Sequence, residues 1–271
     1  PGAQVKQLEA TITSAQEVTG DTRLLWLEAP QIARAARPGQ FVMVRCGGDT
    51  FLPRPFSVHR SDGERLALLF NTVGGGTRWL AGREKGQVIS IFGPLGNGFT
   101  IHPDSKNLLL VAGGIGLAPL AFLADTIIAS GKKVTLITGA RNCECLVPLS
   151  SPQSLYDTGA LPAGLHCVTA TDDGSEGFKG LATQLIPTYL DGIDQVFACG
   201  PAAMYRTMAQ MPELKNKSVQ VSLEIVMGCG TGVCYGCTIK TKGGLRQVCK
   251  DGPVFEMDEL AGLDWDTLGQ G

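Results

Sequence analysis

Four cysteines stand close enough along the chain to act together. Cys229, Cys234, Cys237 and Cys249 follow the spacing C-x4-C-x2-C-x11-C and lie within 21 residues. Four converging thiolates can hold a small anionic iron–sulfur core, and C-x4-C-x2-C with a more distant fourth cysteine is the spacing of plant-type [2Fe–2S] centres. Such a core also needs backbone N–H groups turned toward sulfur. Gly228, Gly230, Gly232 and Gly236 let the chain wrap tightly enough to supply them. The alternatives are a structural zinc site and four buried free thiols. Zinc sites favour two C-x2-C pairs, and this segment has one, so the spacing favours the cluster.

A second set of residues has the types needed to bind a phosphorylated aromatic cofactor. Arg54-Pro55-Phe56-Ser57 opens an extended run. The arginine can pair with a pyrophosphate, and the Ser57 hydroxyl can reach a ring nitrogen. Gly74-Gly75-Gly76-Thr77 follows ahead of a helix predicted from Thr77 to Ala81, where free N–H groups and the positive helix end attract anions. Leu69-Phe70-Asn71, just before it, would line an isoalloxazine. Each match alone is weak: the first is a common string and the second is equally a flexible loop. Together they favour a flavin, because the Arg-Pro-Phe-Ser run is similar to the flavin signature of the ferredoxin-reductase superfamily.

The third set lies further on. The apolar run Asn107 to Ala112 is followed by Gly113-Gly114-Ile115-Gly116 and an apolar periodic stretch. A strand, glycine turn and helix in this order lets a dinucleotide phosphate approach the backbone. The turn departs from G-x-G-x-x-G, so the usual dinucleotide fingerprint does not apply. Cys199-Gly200-Pro201 ends a later strand, at the sheet edge where ligands of open α/β sheets bind. These residues are expected near a nicotinamide, although Cys199 by itself reads equally as a small buried thiol. His59, His102 and His166 are isolated, and Cys143-Glu144-Cys145 is most simply an incidental thiol pair. No catalytic triad or paired-carboxylate arrangement stands out, so the chemistry falls to cofactors.

The elements that must hold these groups change character along the chain. Short β-rich runs separated by turns fill residues 1–102 and predict an antiparallel β-barrel. Residues 103–223 alternate strands (from Asn107, Lys133, Leu165 and Gln195) with helices and predict an α/β domain with a parallel sheet. Residues 224–271 form a small Cys- and Gly-rich module with little room for its own core.

Composition agrees. With 23 Lys and Arg against 25 Asp and Glu, the formal charge is −2, which argues against binding nucleic acid through a broad basic face. Glycine accounts for 36 of 271 residues, nearly twice the usual share of about 7%. The longest apolar stretch, Leu108 to Ala124, is interrupted by glycines and Pro119 and is short for a membrane span. The first ten residues have no basic-then-apolar pattern, so no export signal is expected in them. Nine cysteines, an odd number, argue against a disulfide framework and for a reducing, cytoplasmic setting.

Taken in order, Arg54 to Ser57, Gly76-Thr77, Gly93 to Gly98, Gly113 to Gly116, Cys199 to Pro201 and the ending Val248-Cys249-Lys-Asp-Gly-Pro-Val-Phe255 resemble the electron-transfer subunits of class 1B dihydroorotate dehydrogenases. The resemblance covers nearly the whole chain, and its most specific part is the C-terminal cluster. It implies FAD on the barrel, NAD on the α/β domain and a [2Fe–2S] cluster on the four cysteines. It also implies an FMN-containing catalytic subunit as partner, in a two-plus-two heterotetramer. Electrons from dihydroorotate would pass from that FMN through the cluster to FAD, then as hydride to NAD+. Related reductase subunits serving ferredoxin, sulfide dehydrogenase or bifurcating transhydrogenase partners look similar, and some replace a cluster cysteine with Asp. Here all four positions are Cys.

Overall fold

The computed structural model describes residues 5–48, 51–149 and 161–268. The N-terminal part is a seven-stranded antiparallel sheet with two short helices. Its strands are β1 (Lys6–Glu17), β2 (Thr22–Glu28), β3 (Phe41–Val44), β4 (Arg54–Ser57), β5 (Arg60–Ser61), β6 (Arg65–Asn71) and β7 (Val88–Leu95), in the order β4-β3-β7-β1-β2-β6-β5. Alternate residues such as Ile12, Leu25, Leu27, Leu66 and Leu68 are buried, as the two-residue period of a half-buried strand requires. The helices are α1 (Pro30–Ala33) and α2 (Gly75–Ala81). The sheet curls until β4 faces β6, where Phe56 and Phe70 meet edge to face with centroids 5.3 Å apart. The expected barrel is thus a curled sheet closed by side chains across that gap; no ladder joins β4 to β6 among the described residues.

The second sheet carries β8 (Asn107–Gly113), β9 (Lys133–Ala140), β10 (Leu165–Thr171), β11 (Phe178–Lys179), β12 (Gln195–Cys199) and β13 (Ser218–Ser222), all parallel. Helices α3 (Leu117–Ala129), α4 (Ala182–Tyr189) and α5 (Ala202–Gln210) cover it. Its order is β11-β10-β9-β8-β12-β13, with β16 (Val254–Glu256) added antiparallel beyond β13. Strand order reverses between β8 and β12, and such a switch point opens a crevice at the carboxyl edge. The apolar stretch from Leu108 is the buried strand β8 running into α3, and no helix among the described residues is long and apolar enough to cross a membrane.

Three strands of this sheet were hidden in the sequence. β13 reads Ser-Val-Gln-Val-Ser, and its Gln220 is buried because its amide is fully used. Nε2 donates to Glu256 Oε1 at 2.8 Å and Thr100 O at 3.2 Å, and Oε1 accepts from Thr100 N–H at 2.9 Å. β16 comes from the cysteine-rich tail, and β11 is only two residues long.

The tail otherwise forms the hairpin β14 (Thr238–Thr241) and β15 (Gly244–Gln247), then α6 (Val248–Asp251). It shares its core with its neighbours. Cys237, Ile239, Val248 and Phe255 belong to one apolar cluster with Met43 and Leu95 of the first sheet and Val221 of the second. Asn97 clasps it from the barrel side, Nδ2 donating to Asp251 O at 3.0 Å.

Candidate functional site

The crevice at the switch point is a cavity of about 800 Å³. Gly113 and Gly114 from the turn after β8, Pro201 from the turn after β12, and Ala140 and Arg141 after β9 line it. The two turns that the sequence singled out touch directly. Ala112 pairs with Cys199 across the β8–β12 ladder, and a Cβ on Gly113 would meet Pro201 Cδ at 2.7 Å. Gly114 adopts φ +54°, a left-handed backbone that favours glycine. Thr183 also lines the cavity, and its buried Oγ1 has no hydrogen-bond partner in the protein. A buried hydroxyl in that state calls for a polar ligand group.

A second cavity, of about 330 Å³, opens on the barrel side. Pro55, Phe56 and Ser57 of β4, Leu69, Phe70 and Asn71 of β6, and Thr77 of α2 form one side; Leu223 to Ile225, Met227 and Pro253 form the other. Arg54 precedes Pro55 and is not among the lining residues. Its side chain covers Gly76, where a Cβ would meet Arg54 Cγ at 3.3 Å, and its Nη1 donates to Leu52 O at 3.1 Å. The helix α2 starts two residues earlier than predicted, at Gly75. The Thr77 hydroxyl caps it by accepting from the N–H groups of Val73 and Gly74, both at 2.9 Å. The glycine turn is therefore ordered around Thr77, with the side-chain space at Gly74 and Gly75 open.

Asn71, Ile115 and Glu224 line both cavities and mark the seam between them. Glu224 carried no signal in the sequence. It sits just past β13, and its Oε1 lies 3.6 Å from the Cys199 thiol. Burial holds its carboxyl above the usual range, against the opposing Cys199 hydrogen bond. Burial, reinforced by the Glu224 charge, pushes the Cys199 thiol well up, so this cysteine is a neutral thiol rather than a thiolate. Tyr205 braces the seam from behind: its hydroxyl donates to Ser222 O at 2.5 Å and accepts from Gly200 N–H at 2.9 Å.

The four tail cysteines come together beside the second cavity. Met227 lines that cavity and Cys229 follows two residues later. Cys237 and Cys249 are buried, Cys229 is half-buried and Cys234 is exposed. Backbone N–H groups aim at the sulfurs: Thr231 at Cys229 (3.4 Å), Gly232 at Cys249 (3.1 Å) and Cys249 at Cys237 (3.4 Å). Burial works against ionisation of Cys229, but the N–H groups of Cys234 and Thr231 prevail and lower its thiol to about 6. Cys249 goes the other way, up to about 12, through burial and then its contact with Cys237. Gly230 and Gly232 adopt φ +73° and +81°, and Tyr235 the same region at +60°. These turns bring the loop round its own sulfurs, and a Cβ on Gly230 would strike Met43 Cγ at 2.7 Å. Linked thiols ringed by N–H donors suit an iron–sulfur core. Among the described residues, no three His, Cys, Asp or Glu side chains close on a single-ion position.

Cys143 and Cys145 fall on a short turn after β9. Cys143 is exposed, and Cys145 lines the larger cavity with Arg141 Nη2 3.9 Å from its sulfur. His59 is fully buried under α3, its Nδ1 2.9 Å from Ala118 O.

A curled antiparallel sheet followed by this parallel sheet, with cavities meeting at the switch point, is the architecture of the ferredoxin-reductase class of flavin oxidoreductases. The ferredoxin reductase of carbazole 1,9a-dioxygenase has this fold, with a TM-score of 0.70 over 82% of this chain and 70% of that one, at 21% identity. The NADH-dependent reduced ferredoxin–NADP oxidoreductase, solved in work on flavin-based electron bifurcation, matches 96% of this chain and 91% of its own at TM-score 0.83 and 28% identity. Residues 224–261 match the family model for the iron–sulfur cluster binding domain of dihydroorotate dehydrogenase B. The dihydroorotate dehydrogenase B (NAD(+)) electron transfer subunit of Desulforamulus reducens is 37% identical over 260 residues, 92% of this chain and 96% of that protein. The chain belongs to this family of dihydroorotate dehydrogenase B electron transfer subunits.

Proposed function

We propose that this chain carries electrons between a dihydroorotate-oxidising partner and NAD+, using FAD in the smaller cavity, NAD(H) in the larger and a [2Fe–2S] cluster on Cys229, Cys234, Cys237 and Cys249. One observation carries the reading: the two cavities share the seam Asn71–Ile115–Glu224, and the irregular segment leaving that seam runs through Met227 into Cys229. When bound, the cluster supplies one-electron relay, and FAD supplies the exchange between single electrons and a hydride.

The chain's own residues bind, orient and exclude water. Arg54 supplies positive charge for the FAD pyrophosphate. Pro55, Phe56, Ser57, Leu69, Phe70 and Asn71 enclose the ring, and Gly76 and Thr77 shape the turn beside it. Gly113, Gly114 and Gly116 admit the dinucleotide, and Cys199, Gly200 and Pro201 form the wall against the nicotinamide. Glu224 and Cys199 exclude bulk water behind that wall.

The partner is an FMN-containing dihydroorotate dehydrogenase catalytic subunit, in an assembly of two plus two. Its docking face surrounds the cluster. Phe51 is 98% exposed, Val233 75% and Tyr235 70%, and Leu52 lies 3.7 Å from where a Cβ on Gly228 would be. Such an apolar rim marks a protein interface. Nine free thiols and an NAD-linked reaction support a cytoplasmic setting for the chain.

A second reading keeps the cofactors and changes the partner, because the bifurcating oxidoreductase shares almost the whole shape. The deciding experiment is anaerobic purification with the FMN-containing subunit, followed by visible spectra. Flavin and cluster absorbance bleached by dihydroorotate, with NAD+ reduced in turn, is the expected result. Bleaching by NADH alone, with no association with that subunit, would favour the second reading. A colourless protein without iron would end both.

A further inference from the structure

The turn between β1 and β2 forms a wall of the larger cavity: Thr19, Gly20, Asp21 and Thr22 line it beside Asn71. Thr22 and Asn71 are directly opposite in the β2–β6 ladder. Three side chains there make a hydrogen-bond chain. The Thr22 backbone N–H can only donate, and it lies 3.2 Å from Thr19 Oγ1. The Thr19 hydroxyl accepts there and donates to Thr22 Oγ1 at 2.9 Å. Thr22, itself buried, passes its own proton to Asn71 Oδ1 at 2.9 Å. Each hydroxyl has one proton to give, and the chain of donations ends on the amide oxygen.

Asn71 Oδ1 is thereby committed, and its NH2 must face the other way. Among the described residues that NH2 has no partner, and Asn71 lines both cavities. The turn that sets the chain is itself anchored. Arg23 Nη1 donates to Thr19 O at 3.0 Å and Gly20 O at 3.1 Å, Arg23 pairs with Glu17 at 3.0 Å, and Asp21 O accepts from Thr72 N–H at 2.8 Å. An amide NH2 with no protein partner, at the meeting point of two cavities, is placed to donate to a bound ligand.

We propose that the Asn71 amide donates to the carboxamide oxygen of the bound pyridine nucleotide, and that Thr22 is the positioning residue that aims it. The inference rests on the FAD and NAD(H) reading above. The carboxamide is the one polar handle on the reacting ring, so a donor that holds it sets where the ring lies against the flavin. The chain's β1–β2 turn thus acts on the nucleotide from the barrel side, opposite Cys199 and Pro201.

The test uses the full chain loaded with FAD and cluster, and the oxidised nucleotides NAD+ and thionicotinamide adenine dinucleotide, so that no electron transfer complicates binding. Dissociation constants are read from the flavin difference spectrum. Sulfur accepts hydrogen bonds weakly, so the wild type is expected to prefer NAD+ by about tenfold, the worth of one good hydrogen bond. In Asn71→Leu and Thr22→Val the preference falls to within about twofold, while Thr22→Ser, which keeps the hydroxyl, restores it. FAD content is measured for each variant, and the constants are read on the FAD-loaded fraction. An unchanged preference in Asn71→Leu overturns the proposal. So does an unchanged preference with a shifted flavin spectrum, which would aim the amide at the flavin. A wild type without NADH-bleachable flavin would instead fail the underlying reading, before any variant is made.

Discussion

Gly116 lies so close to Cys199 that a Cβ on the glycine would stand 2.0 Å from the Cys199 carbonyl oxygen and 2.8 Å from Gly200 N. The turns after β8 and β12 are thus backbone against backbone. The proposed nucleotide wall is one packed unit built from two distant stretches of sequence, and it has no slack for a methyl group.

Gly116→Ala should therefore cost at least about 2 kcal/mol, since backbone cannot rotate out of the way as a side chain can. For a chain of this size that lowers Tm by roughly 5 °C or more. Gly48→Ala, which meets nothing within 4 Å, serves as the control. Equal melting curves for the two variants would contradict the close approach.

Cys234 is the exposed member of the cysteine set, so its replacement disturbs little packing. Cys234→Ser is expected to lose the iron and acid-labile sulfide while keeping one FAD per chain. Full iron content in that variant would show that the ligand set is wrong.

His59 predicts an acid limb in stability. Burial, then the neighbouring Arg60 charge, lowers its imidazole from 6.5 to about 3, opposed by the Ala118 carbonyl bond. The unfolded chain takes up a proton below pH 6.5 that the folded chain refuses, so stability is lost as pH falls through that window. The slope from this group approaches about 1.4 kcal/mol per pH unit, or roughly 2 kcal/mol between pH 6.5 and 5. Denaturant titrations at several pH values should show a shallower slope in His59→Gln, whatever its absolute stability.

Thiol labelling should separate the cysteines by position. Cys143 is exposed and should alkylate before Cys46 and Cys199, which are buried. Cys145 lines the larger cavity, so NAD+ should slow its labelling several-fold while leaving Cys143 unaffected. Peptide mapping by mass spectrometry reads both; equal protection of the two would place the nucleotide elsewhere.

Much of this site was legible because its signals are local. The cysteine spacing, the Arg54–Ser57 run and the Gly113–Gly116 turn each lie on a few consecutive residues. What escaped was made by strand pairing. Glu224 reaches Cys199 only because β12 and β13 run side by side, with Cys199 opposite Ser222, and a glutamate after Ser-Leu has no signature. Thr22 and Asn71 meet through a ladder between residues 49 positions apart. β16 was concealed for a related reason: Val254–Glu256 follows the last cysteine, and only the edge of β13 makes it a strand. The barrel was foreseen, but its closure through Phe56 and Phe70 is a side-chain event that strand patterns do not encode.

The stretch from Leu223 to Met227 walls the smaller cavity and then becomes the cluster loop. On the proposed assignment, a single short piece of chain thus serves two prosthetic groups. Filling the cavity restrains Met227 and so narrows the positions Cys229 can take; gathering the four sulfurs restrains the cavity wall in return. Linkage makes that assistance mutual and equal in free energy. On the proposed assignment the two centres therefore strengthen one another, and losing the cluster weakens FAD binding without abolishing it.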